Sequence, residues 1–267
     1  MSESISHVPM LGANYHTHTH RCKHAAENER NYIENAIAGG VKILGFADHT
    51  PQFFDDGYYS NFRMYPEELQ NYTDTLLNLR EEYKGQIDIL IGLEVEYYPK
   101  FFGRLIDFLK DYPMDYLILG QHFINNEFDG YQHVIHPTED VSFIAQYTEQ
   151  VCEAFETGYF AYAAHPDMCN FIADPAVYRS YSRRICEKAK ELDIPLEMNF
   201  LGYTEKRCYP RMDFWEIAAE VGNTVIFGCD AHQPDMIPNN YAFRDCLAIV
   251  EKLSLNRTET IRMTMRK

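Results

Sequence analysis

The chain has 267 residues, of which 46% are hydrophobic and 14% aromatic, enough for a sizeable core and too apolar for disorder. Against 40 acidic residues stand 24 Lys and Arg, a formal charge of -16 that repels nucleic-acid polymers and anionic membranes. A small anionic substrate remains compatible where a local cation reverses the sign inside a pocket.

No run approaches 18 uncharged apolar residues, and the opening MSESISHVPMLGANY has no basic stretch followed by an apolar one. Neither a membrane span nor a signal peptide is therefore expected. The seven cysteines are odd in number and form no CxxC pair, which reads as reduced thiols in a cytoplasmic protein. Without repeats, low-complexity tracts or Pro/Gly/Ser linkers, residues 1–267 read as a single domain.

Short apolar runs alternate along the chain with helical patterns. The first run is ANYHTH (13–18), followed by the helical NERNYIENAIAGG (28–40), which ends in glycines. Next come VKILGFAD (41–48), a helix opened by proline over 66–85, IDILIGLE (87–94) and MDYLILGQH (114–122). Residues 122–140 show no clear element and read as a long loop over one face. YFAYAAH (159–165), a helix over 174–193, IPLEMNF (194–200), a helix over 211–222 and TVIFGCD (224–230) complete the series. Seven strands alternating with helical segments predict a parallel sheet. At this length the expectation is a distorted seven-stranded β/α barrel, with an open doubly wound sheet as the alternative.

Four histidines, His16, His18, His20 and His24, crowd nine positions near the start. His16 and His18 are two apart and on a strand would share a face. Asp48-His49 closes the second run, Glu94 the third, His122 the fourth, His165 the fifth, and Asp230 with His232 the seventh. In a β/α barrel such strand ends converge on one mouth. Seven imidazoles and two carboxylates gathered there suit divalent Zn, Fe or Mn, and nine ligands imply two or three ions.

The order HxH…H…DH…GxE…H…HP…DxH resembles the PHP (polymerase and histidinol phosphatase) metallohydrolases over about residues 12–245. That resemblance implies a distorted seven-stranded β/α barrel with the metal site at the C-terminal ends of its strands. It places His16, His18, Glu94 and Asp230 on one ion, and has Glu94 bridge to a second held by His122 and His165. A third falls to His24, His49 and His232. The opening pair could be His18 and His20, but the six-residue step from His18 to His24 favours His16 and His18. The standalone length and the stretches CKHA, FADHTP and PLEMNF-G most resemble the histidinol-phosphate phosphatases. The resemblance thus implies hydrolysis of a small phosphate monoester, most plainly L-histidinol phosphate, by metal-activated water. Another small phosphorylated metabolite or nucleotide, a phosphodiester, or a non-catalytic metal-binding domain are the alternatives. Retention of all nine ligand positions speaks against the last.

One departure bears on the substrate. Many of these phosphatases carry HxDLxR after the fifth strand, with the arginine on the phosphate; here the segment is HPDMCN, with Asn170 in that place. Arg207 or Arg211, after the sixth strand, could supply the missing guanidinium fork. Asp48 reads as an orienting carboxylate behind a ligand histidine or as a turn-forming or capping aspartate, and His20 as a proton donor or merely a neighbour. His133 and His136 read as surface residues of the long loop. The tyrosine-rich stretches at 55–65 and 96–103 could wall a pocket or simply pack. Oligomeric state is left open.

Overall fold

The computed structural model describes residues 10–128 and 132–265. The first nine residues, on which part of the signal-peptide reading rests, and residues 129–131 of the long loop lie outside the described residues. Eight parallel strands form one sheet in sequential order: β1 (Ala13–Asn14), β2 (Ile43–His49), β3 (Asp88–Val95), β4 (Tyr116–Leu119), β5 (Phe160–Ala163), β6 (Leu196–Asn199), β7 (Thr224–Gly228) and β8 (Asn256–Arg257). The expected seven runs supply β1 to β7. The eighth strand, only two residues long, pairs with the start of β7 and has too little apolar pattern to announce itself.

Helices connect consecutive strands, as parallel pairing requires. They are α1 (Glu29–Ala38), α2 (Leu69–Glu82), α3 (Pro99–Leu109), α4 (Val141–Glu156), α5 (Pro175–Glu191), the short α6 (Phe200–Thr204), α7 (Met212–Val221) and α8 (Asn240–Leu253). Their starts follow capping chemistry. Asn28, Asp140, Asp174 and Asn239 each accept a first-turn backbone N–H, and Pro175 opens α5. The stretch EYYPKFFG, which could wall a pocket or simply pack, leads into α3 and buries Tyr98, Phe101 and Phe102.

The sheet curls so that its first and seventh strands meet beyond their C-terminal ends. Thr17 and Ala231 form a parallel bridge there, with His18 N–H donating to the Ala231 carbonyl (2.9 Å) and Ala231 N–H to the His16 carbonyl (3.2 Å). At the opposite end the chain after β8 lies against β1, where the Tyr15 hydroxyl donates to the Glu259 carbonyl (2.8 Å). Two packed layers result. A large cluster joins the helices to the outer face of the strands, including Leu196, Met198, Val225 and Phe227. A smaller cluster of Ala13, Tyr15, Leu90, Tyr116, Ile118, Tyr162 and Ile226 fills the inner face below the mouth. No helix among the described residues is long and apolar enough to cross a membrane.

Candidate metal centre

The strands deliver polar side chains to the mouth by their period of two. β3 brings Glu94 and its continuation Glu96, β6 brings Glu197 and Asn199, and the residues just past β4, β5 and β7 are His122, His165 and Asp230. His16 and His18 follow β1, with ring centroids 5.2 Å apart. The backbone is unusual at two of these positions. His165 (φ 31°) and Asp230 (φ 50°) adopt positive φ, which side chains seldom tolerate and which concentrates at functional sites. Two glycines make room for the carboxylates. A Cβ on Gly120 would come within 1.9 Å of Glu94, and one on Gly228 within 1.8 Å of Glu197.

Most of the imidazoles are held from behind through Nδ1. His16 Nδ1 pairs with Glu197 Oε1 (2.8 Å), His122 Nδ1 with Glu96 Oε1 (2.9 Å), His24 Nδ1 with the Cys22 carbonyl (2.7 Å) and His232 Nδ1 with the Asp230 carbonyl (3.0 Å). His18 Nδ1 faces Asp48 Oδ1 at 3.5 Å, and Asp48 is itself held by the Thr19 hydroxyl and by the His49 N–H (2.8 Å). Holding Nδ1 from behind turns Nε2 to the interior, the arrangement that orients ligand imidazoles in metal sites.

Those inner nitrogens converge. His16 Nε2 lies 3.6 Å from Glu94 Oε2 and 3.5 Å from Asp230 Oδ1; His18 Nε2 lies 3.6 and 3.1 Å from the same two atoms. His49 Nδ1 (3.1 Å), His122 Nε2 (3.6 Å) and His165 Nε2 (3.0 Å) also face Glu94. His24 Nε2 and His232 Nε2 point at one another across 3.0 Å. His16 Nε2, both ring nitrogens of His18, His49 Nδ1 and His165 Nδ1 are buried with no hydrogen-bond partner in the described structure. Ligands of a tetrahedral zinc at about 2.0–2.1 Å stand roughly 3.3 Å apart, so these separations and donor types fit divalent metal ions. His16–His18–Asp230, His16–Glu94–His165, His18–His49–Glu94 and His24–His49–His232 each bring three ligand atoms within 4.8 Å of one another.

The electrostatics divide the cluster. Burial opposes charge on His16, yet Glu197, Asp230 and Glu94 carry its pKa well above the usual imidazole value. Burial pushes Glu94 up, but His122, His49 and His16 hold it well below the carboxylate range. The outer trio behaves oppositely. Burial, with His18 nearby, lowers His24 and takes His232 down to about 3, and burial drives His49 well below its ordinary value despite Glu94. Burial thus favours the uncharged imidazole in this trio, the form that ligates metal.

Several site residues escaped the sequence reading. Glu197, Glu96 and Asn199 lie inside or just past apolar runs, where a carboxylate is a usable signal because it is rarely buried unpaired. Behind Glu96 sits a buried ionic cluster with no such signal. Arg63 donates to Glu96 Oε2 (3.0 Å), to Glu127 Oε1 (3.1 Å) and to the Thr50 carbonyl (2.9 Å), while the Tyr98 hydroxyl donates to Glu127 (3.0 Å). This cluster ties the loops after β2, β3 and β4 to His122.

A cavity of about 910 Å³ opens over the ligands. Phe62, Phe123, Met168, Leu201 and Tyr209 form apolar walls, and its Lys and Arg side chains are Lys23 and Arg207. Arg207 pairs with Glu205 (2.7 Å) and donates to the Tyr209 hydroxyl (3.0 Å). Other candidates lie elsewhere. Arg211 donates to the Phe171 carbonyl (2.7 Å), lies over the Tyr178 ring and precedes α7, outside the cavity lining. Asn170 donates to the Ile135 carbonyl (3.0 Å) and anchors the long loop, also outside the lining. His20 is exposed at the start of the helical turn His20–Cys22 and does not line the cavity. His133, expected on the surface, is half-buried in the cavity wall with its ring 5.7 Å from His122; burial and His122 push its pKa to about 3. His136 is exposed, as expected.

A parallel α/β sheet with imidazoles and carboxylates converging at its strand ends defines a metal-binding α/β protein. The chain matches the PHP domain over residues 14–200 and belongs to that family. It is 27% identical to "Probable histidinol-phosphatase" of Deinococcus radiodurans over 92% of this chain and 95% of the relative. It is 32% identical to "Histidinol-phosphatase" of Bacillus subtilis over 42% of this chain and 44% of that one. In fold it is similar to the crystal structure of histidinol phosphate phosphatase from Lactococcus lactis complexed with Zn, L-histidinol and phosphate. That likeness has a TM-score of 0.75 at 20% identity and covers 97% of this chain and 99% of the other.

Proposed function

We propose that this protein is a metal-dependent phosphatase that hydrolyses L-histidinol phosphate to histidinol and phosphate. The observation that carries the reading is the set of imidazoles braced through Nδ1, with Nε2 atoms turned onto Glu94, Asp230 and one another. Membership of the PHP family and relatives named for histidinol phosphatase activity support the substrate.

Two or three divalent ions, Zn, Fe or Mn, are assigned as the resemblance implied. His16, His18, Glu94 and Asp230 would hold one, Glu94 with His122 and His165 a second, and His24, His49 and His232 a third. Bound there, the ions would lower the pKa of water and neutralise phosphate oxygens. The chain's own residues supply the rest. Glu197, Glu96 and Asp48 brace the ligand rings; Arg207, steered by Tyr209, offers its guanidinium to the phosphate dianion. The walls of Phe62, Phe123 and Tyr209 suit a planar imidazole ring. Among the earlier candidates, Asp48 faces His18 Nδ1 at 3.5 Å and accepts the His49 N–H, which supports an orienting role.

The architecture is read as a distorted seven-stranded β/α barrel with β8 appended, forming one phosphoesterase unit over residues 1–267. The seven free cysteines support a reducing, cytoplasmic setting. A comparison of kcat/KM for L-histidinol phosphate with that for other small phosphate esters tests the proposal. Preference for L-histidinol phosphate is expected; a stronger preference for an unrelated ester would reject this substrate.

A further inference from the structure

Resting on the phosphatase reading, we infer that His133 is a substrate-contacting residue whose Nε2–H donates to the phosphate group. The tautomer follows from the backbone. Ile135 N–H donates to His133 Nδ1 at 3.1 Å, so Nδ1 is the acceptor and the ring proton sits on Nε2. His133 lines the cavity, and its ring stands beside His122, with centroids 5.7 Å apart. A phosphate close enough to reach the ligand set around His122 and His165 lies against this ring, whereas the organic part of the ester extends outward along the apolar walls.

The donor is held in place. The His133 ring meets Phe123 edge-on with centroids 4.9 Å apart, and the backbones of Phe123 and His133 form an antiparallel bridge. Val134 N–H donates to the His122 carbonyl (2.9 Å), and Asn170 grips the same loop twice, from its N–H to the Val134 carbonyl (2.9 Å) and from Nδ2 to the Ile135 carbonyl (3.0 Å). Asn170 thus positions the loop that carries His133. A fixed neutral donor complements the charge of Arg207 without adding a cation beside the metal ligands.

The test uses full-length, metal-loaded protein and inorganic phosphate as the probe. His133→Phe should weaken phosphate binding, measured by calorimetry, roughly ten-fold, the usual scale for a hydrogen bond to an anion. It should lower kcat/KM by a similar factor for L-histidinol phosphate and for a simple alkyl phosphate, with metal content unchanged. His133→Asn, whose amide can still donate, should recover part of the loss. Should His133→Phe load metal poorly, His133→Leu makes the same measurement. Unchanged phosphate affinity, a loss confined to L-histidinol phosphate, or metal loss in every variant would overturn the assignment. Wild-type turnover of L-histidinol phosphate separates this outcome from failure of the phosphatase reading itself.

Discussion

Along β3 the inward residues run Leu90, Gly92, Glu94, and along β7 they run Ile226, Gly228, Asp230. Each series therefore runs from an apolar side chain through a glycine to a carboxylate at the mouth, within β3 and just past the end of β7. At the lower end apolar and aromatic side chains pack against one another. Tyr116 fills the space above Gly45 and Gly92, and its hydroxyl donates to the Tyr15 (2.7 Å) and Phe46 (3.2 Å) carbonyls. At the mouth the same alternation leaves buried ring nitrogens without partners. Burying such groups costs stability unless something bonds them, so the lower end stabilises the fold while the mouth is arranged for ligands.

Substitutions at the two ends should therefore separate function from stability. The largest effect is expected at Glu94, the carboxylate facing five imidazoles. Glu94→Gln should lower kcat by orders of magnitude at saturating metal while the thermal melt stays cooperative; near-normal kcat would remove Glu94 from the centre of the site. Tyr116→Ala, at the lower end, should cost about 3 to 5 kcal/mol in denaturant unfolding, the scale for emptying an aromatic core site, with metal stoichiometry preserved. Metal loss without destabilisation would erase the distinction drawn between the two ends.

Smaller effects sharpen the comparison within the mouth itself. Glu197→Gln keeps an oxygen behind His16 but removes its charge. Metal affinity, measured by competition with a chelator, should fall roughly ten- to a hundred-fold, as for other residues that brace metal ligands. Arg207→Ala should lower kcat/KM for phosphate monoesters about ten- to a hundred-fold, the cost of roughly 1.5 to 3 kcal/mol for a charge-assisted contact, with metal content unchanged. An unchanged kcat/KM would make Arg207 only the partner of Glu205.

The strands and ligand-type residues were legible because both follow local rules. A period of two and a terminal His, Asp or Glu need no knowledge of neighbours. What supports them was not. Arg63 reaches Glu96 and Glu127 across 33 and 64 residues of sequence, and no local pattern joins them. His133 looked exposed because its loop has no periodicity; the bridge to Phe123 and the hydrogen bonds from Asn170, distant in sequence, bring it to the wall. β8 was invisible for the opposite reason, being two exposed residues that pair solely because β7 offers an edge.

The central claim, that turnover depends on metal ions held by this cluster, is tested most directly by titrating metal-free protein with Zn or Mn while following hydrolysis of L-histidinol phosphate. The account predicts no turnover at the start and a rise to a plateau at two to three equivalents per chain. Full turnover without metal, or a plateau below one equivalent, would contradict it.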